Sequence, residues 1–153
     1  MAQDRNSYVK SAIVDEKKVS CITVYNDRQI TEIKQFCLIG KQRSVWSFDK
    51  TYNLGELYVT QSVYTNCALL RARKDTDSEN VLLLEPLFIH ANSDAETYSR
   101  CFGHLSACLM KSDTHQLILG SDEEFSMRQA MKLFFPNASL VVCTRHLKEN
   151  TIS

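Results

Sequence analysis

The chain is sparing with the residues that interrupt regular structure, having four glycines and two prolines among 153 residues. That scarcity excludes collagen-like and Pro/Gly-rich disordered architectures, and no internal repeat or low-complexity tract is present. It also lacks an excess of either charge. Eighteen basic residues balance eighteen acidic ones, so net charge gives no argument for nucleic-acid binding, and any such contact must use local patches. No apolar run approaches the ~18 residues needed to cross a bilayer, so no membrane association is expected. The start, Met1 to Asn6, has none of the apolar stretch of a secretory leader. The six cysteines (21, 37, 67, 101, 108 and 143) are therefore read as reduced thiols, mostly buried, in an intracellular protein.

What is present is patterned. Residues 1–20 are polar without a clear period, and Cys21-Ile22-Thr23-Val24-Tyr25 then reads as a short strand. Asn26 or Asp27 can cap a helix carrying Ile30, Ile33 and Cys37 on one face, with Gly40 as its stop. Residues 1–42 thus make a polar segment plus a small strand–helix unit. From Arg43 the pattern alternates, with Ser47, Asp49 and Thr51 on one face and Trp46 and Phe48 on the other. A turn at 53–56 leads into a long strand from Leu57 to about Ala72, and residues 73–80 read as a solvated loop. A third strand covers Val81 to Ile89, where Pro86 argues for an edge or a bulge.

Helix and strand alternate in the remainder. Ser93 and Glu96 form a capping box ahead of the apolar stripe Tyr98, Phe102, Leu105 and Leu109. Gln116 to Gly120 is a short buried strand. Ser121 and Glu124 form a second capping box, opening a helix with Met127, Ala130, Met131 and Phe134 on one face, and Ser139 to Cys143 is a fifth strand. The order over residues 43–153 is βββαβαβ, with short links that favour parallel strands. This is an α/β mixed sheet whose arrangement resembles the ribonuclease-H-like fold.

Two aspartates stand out in that arrangement, Asp49 on the first strand of the core and Asp122 at the end of the fourth. Hard cations such as Mg²⁺ need anionic oxygen ligands, and a pair of ions about 4 Å apart serves phosphoryl transfer. Blander readings stand beside this one. Asp49 can bond the backbone of the 53–55 turn, and Asp122, Glu123 and Glu124 can complement a helix dipole. Cys143 and His146 have zinc-like spacing that Cys101 and His104 repeat, which allows a Cys₂His₂ site. Yet Cys101 and His104 fall within an amphipathic helix, where a buried thiol and a flanking histidine are commoner.

Gapped motifs run along the chain: Tyr25 to Ile30, Phe36-Cys37, Phe48 to Gly55, Tyr58-Val59-Thr60, Ile89-His90, Thr97-Tyr98, Phe102 to Leu105, Gly120 to Glu124, Phe135-Pro136 and Cys143 to Asn150. Together they resemble the catalytic core of Mutator-like element transposases over about residues 44–150, and an animal subgroup of that family over almost the whole chain. The resemblance implies a DDE-type domain for metal-dependent DNA strand cleavage and transfer at transposon ends, with Mg²⁺ or Mn²⁺ as cofactor. It implies Asp49 and Asp122 as the first two catalytic acids and metal ligands, and Cys143 and His146 as signature residues near the site. It further implies DNA as partner and a nuclear setting, and leaves a homo-oligomer open. The family's third acid is a glutamate on a helix beyond a helical insertion that follows the Cys-x-x-His segment, whereas this sequence stops at Ser153. Glu149 belongs to the His-Leu-Lys-Glu-Asn part of that segment. The expectation is a transposase piece cut off before its C-terminal helix and inactive alone. The alternative is a domesticated, non-catalytic DNA- or protein-binding module.

Overall fold

The β-branched and aromatic runs pair into one seven-stranded mixed sheet in the computed structural model, which describes residues 7–15, 18–39, 43–71, 79–109, 116–122 and 124–142. The strands are β1 (Val9–Asp15), β2 (Lys18–Val24), β3 (Trp46–Leu54), β4 (Leu57–Arg71), β5 (Glu79–His90), β6 (Ile118–Ser121) and β7 (Ser139–Val142). Helices α1 (Asp27–Ile33), α2 (Ala95–Leu109) and α3 (Phe125–Phe134) connect them, and α1 widens into a π-helical stretch over Lys34–Ile39. The spatial order is β1-β2-β5-β4-β3-β6-β7. Pairing is antiparallel from β1 through β3, and β3–β6 and β6–β7 are parallel.

The polar stretch before Cys21 is not irregular, because it forms β1 and the start of β2. Register shifts between Val9 and Ser11 and between Ile13 and Val14 explain why no period was visible, since each bulge resets the alternation. The hairpin joins the main sheet through β5, whose residues Leu87 to His90 pair with Val24 to Cys21. Pro86 follows directly where that pairing ends, and its missing N–H cannot extend the ladder. On the β4 side Pro86 lies in a bulge between the Gln61 and Val63 pairs, where Ser62 Oγ donates to its carbonyl at 3.1 Å. Gly40, the 73–78 part of the expected loop and Cys143 lie outside the described residues.

All three helices pack on one face. Phe48 and Phe88 stack with ring centroids 6.0 Å apart, and Phe102 of α2 meets both edge-on. Trp46 meets Phe135 at the end of α3, and Tyr64 stacks on Phe36 of the π-helical turn. The register places these strand residues on the same side as Lys50, Thr60 and Leu119. The opposite side carries Val45, Ser47, Asp49, Gln61, Val63, Leu82, Leu84 and Val141, and no described helix covers it. Leu82 and Leu84 are 67% and 55% exposed there.

Two glycines have conformational reasons. Gly55 turns the β3–β4 hairpin at φ 65°, a backbone region where a side chain is strained. Gly120 lies on the uncovered side, paired with Ser47, and a Cβ there would stand 2.5 Å from Ser47 Oγ and 3.0 Å from Val45 Cγ1. Gly120→Ala is expected to cost roughly 1–3 kcal/mol of stability by overpacking. Adding Ser47→Ala should recover part of that loss, as read by denaturant unfolding. Equal stability of Gly120→Ala and the parent chain would count against the tight β3–β6 approach.

Candidate metal site and the charged network behind it

β3 and β6 run parallel, with Trp46 opposite Leu119, Ser47 opposite Gly120 and Phe48 opposite Ser121. The next residues along the two chains are Asp49, within β3, and Asp122, directly after the end of β6, with neighbouring strands about 4.8 Å apart. Alternation sends Asp49 to the uncovered side, since it pairs with Gln61 while Phe48 and Lys50 face the helices. Asp122 lies just past the end of β6, and both aspartates are half-buried. The hairpin-turn reading of Asp49 finds no support, because the residue sits mid-strand and opposite β4. The capping reading of Asp122 is partly met. Its Oδ1 accepts the Glu124 N–H at 3.0 Å, an Asx-type turn leading into α3.

The second capping box does not form. Ser121 Oγ donates instead to the Asp122 carbonyl at 2.9 Å, and Glu124 takes the N-cap position without a side-chain cap bond. The first box is shifted by one residue, with Asp94 Oδ1 accepting the Thr97 N–H at 2.8 Å. Ser93 and Glu124 are thereby released for each other, and sequence reasoning missed this. Glu124 Oε1 accepts from Ser93 Oγ at 2.6 Å and from Lys50 Nζ at 3.3 Å, and Oε2 accepts from Tyr98 OH at 3.0 Å. Lys50 Nζ also donates to Ser93 Oγ at 2.8 Å and lies 5.1 Å from the centre of the Tyr58 ring. No sequence signal marked Lys50 and Glu124 as partners, because 74 residues separate them.

Deeper in the same network His90 is fully buried. Its Nδ1 faces the Asn92 carbonyl and its Nε2 the Thr60 hydroxyl, both at 2.8 Å. A carbonyl only accepts, so Nδ1 carries the proton and Nε2 accepts from Thr60 in the neutral ring. Burial holds His90 below the usual imidazole range, against the pull of the Glu124 carboxylate. Burial also raises the Tyr98 phenol. On β3 Asp49 thus faces away from the helices while the adjacent Lys50 faces them.

Two carboxylates suit a hard cation by their chemistry. Among the described residues no group of three or more histidines, cysteines or acids could hold a metal, so any third ligand would come from elsewhere. Cys101 and His104 do not act together, since Cys101 faces Cys21 and His104 Nε2 lies 2.9 Å from Tyr25 OH. Cys143 and His146 lie outside the described residues, as do Glu123 and Glu149. Comparison of the chain with known protein families, curated proteins and solved structures returned no match.

Two outcomes are expected from the network. Glu124→Ala leaves Lys50, Ser93 and Tyr98 without their shared acceptor and should cost about 1–3 kcal/mol in denaturant unfolding. His90 and His104 are both depressed by burial, so the native state binds fewer protons than the unfolded chain. Their contribution is complete above the unfolded value of about 6.5 and is lost as pH falls through the folded values. The Tm should drop between about pH 7.5 and about pH 5.5, and less steeply in His90→Asn. A profile of the same slope in both proteins would remove His90 from the account.

Proposed function

We propose that the chain is part of a ribonuclease-H-like, DDE-type transposase domain of the Mutator-like kind. In this reading Asp49 and Asp122 hold a divalent cation against a DNA backbone, in the nucleus. The observation that carries it is the parallel β3–β6 register, whose last pair, Phe48 opposite Ser121, is followed directly by Asp49 on β3 and by Asp122 after β6. The strand order β5-β4-β3-β6-β7 supports it, because an antiparallel meander joined through its first strand to two parallel strands is the expected ribonuclease-H-like order. Mg²⁺ or Mn²⁺ would supply charge neutralisation and Lewis acidity toward a phosphodiester.

The chain's own residues do the positioning. Asp122 is oriented by its bond to the Glu124 amide, and Glu124 is anchored to β3 through Lys50 and to α2 through Ser93 and Tyr98. Asp122 is thus tied to a partly buried network rather than to a loose loop, and Asp49 is placed by its strand, as a preorganised ion site requires. Strand cleavage and transfer would need a third acid beyond these two.

Titration of the full chain with Mn²⁺, followed by water-proton relaxation, tests the reading. Binding is expected in the parent chain, weakened about tenfold or more by Asp49→Asn and by Asp122→Asn, with circular dichroism unchanged. Affinity that ignores both substitutions would overturn the metal site and leave a non-catalytic DNA- or protein-binding module as the reading.

A further inference from the structure

Away from the aspartates, two cysteines meet where α2 crosses β2. Cys21 projects from β2 into the core and Cys101 from α2, at 2% and 0% exposure, with Sγ atoms 2.8 Å apart. That is closer than non-bonded sulfur atoms rest, though longer than the bond of about 2.05 Å. The other described cysteines are placed differently. Cys108 Sγ lies 3.0 Å from Tyr25 OH, Cys67 lies 3.9 Å from the Thr65 carbonyl, and burial pushes the Cys37 thiol up to about 12. None of these five is in a disulfide.

We propose that Cys21 and Cys101 are an oxidisable pair, which a small-molecule disulfide such as glutathione disulfide converts into a cross-link between β2 and α2. The surroundings favour attack by Cys21. The Cys101 thiol beside it is the largest influence holding the Cys21 thiol below its usual value, and the Arg100 cation, whose guanidinium bonds Ser20 Oγ at 3.0 Å, adds to it. Access follows from the fold, because β2 holds to β5 through four residue pairs next to the sheet edge and the hairpin can open locally.

The electrons balance in two exchanges. The Cys21 thiolate attacks one sulfur of glutathione disulfide, forming a mixed disulfide and releasing a glutathione thiolate that takes up the Cys21 proton. Cys101 then loses its proton and attacks Cys21 Sγ, releasing the second glutathione as a thiol. The two cysteine thiols are oxidised, and one glutathione disulfide is reduced to two thiols.

The test is disulfide mapping of the full chain. The reduced protein is incubated with glutathione disulfide, acid-quenched, alkylated in denaturant and digested with trypsin. Tandem mass spectrometry then distinguishes Cys101 from Cys108, which share a tryptic peptide. A majority of chains linked Cys21 to Cys101, and reverting with dithiothreitol, is the expected result. In Cys101→Ala, Cys21 should stop at the glutathione adduct. Three results overturn the proposal: both cysteines alkylated, Cys21 linked to Cys108, or a persistent Cys21–glutathione adduct beside a free Cys101 in the parent chain.

Discussion

The parallel contact of β3 with β6 is the constraint on which the rest depends. Three residue pairs make it, yet it joins an antiparallel half built from local hairpins to a half built from helical crossovers. For β6 to lie parallel to β3, the chain must leave the end of β5, travel back along α2 and re-enter beside β3. The aromatic packing of Phe102 on Phe48 and Phe88 fixes that path, and Gly120 permits the close approach to Ser47. Shift this register by one residue and Ser121 would turn out of the core.

The same constraint divides the sheet into faces with different tasks. The helix side is filled with aromatics, and polar residues there bond one another in the Lys50–Ser93–Tyr98–Glu124 and Thr60–His90 contacts, whereas the buried Trp46 Nε1 has no partner among the described residues. The other side mixes exposed apolar residues with Asp49. Parallel strands are ordinarily covered on both faces, whereas antiparallel ones, which make up most of this sheet, can leave one face open. A shallow cavity of about 340 Å³ opens on it around Ser47, Val63, Thr65 and Leu82.

Much of the fold was legible because it is written locally. The alternation of Trp46 to Thr51, the turn glycine at 55 and the apolar stripes of α2 and α3 each identify an element from neighbouring residues alone. The outward placement of Asp49 was legible for the same reason. What escaped was set by distant partners. β1 was hidden because bulges erased its period. Ser93 and Glu124 looked like helix caps because their spacing is right for capping, but tertiary contacts recruited both side chains and left the caps to Asp94 and the Asp122 turn. The contact between Cys21 and Cys101 was invisible, since nothing local distinguishes two buried thiols 80 positions apart.

The neutral charge of the chain bears on the proposed function in a specific way. A nucleic-acid backbone approaching Asp49 and Asp122 would find the nearby Lys50 turned to the helix side and engaged by Glu124. Two carboxylates and a phosphodiester repel one another unless a positive charge lies between them. In the proposed reading a divalent cation therefore has a part in binding as well as in chemistry. A basic surface elsewhere on the protein could raise the local concentration of DNA, but it could not remove the repulsion at the point where the two aspartates face the backbone.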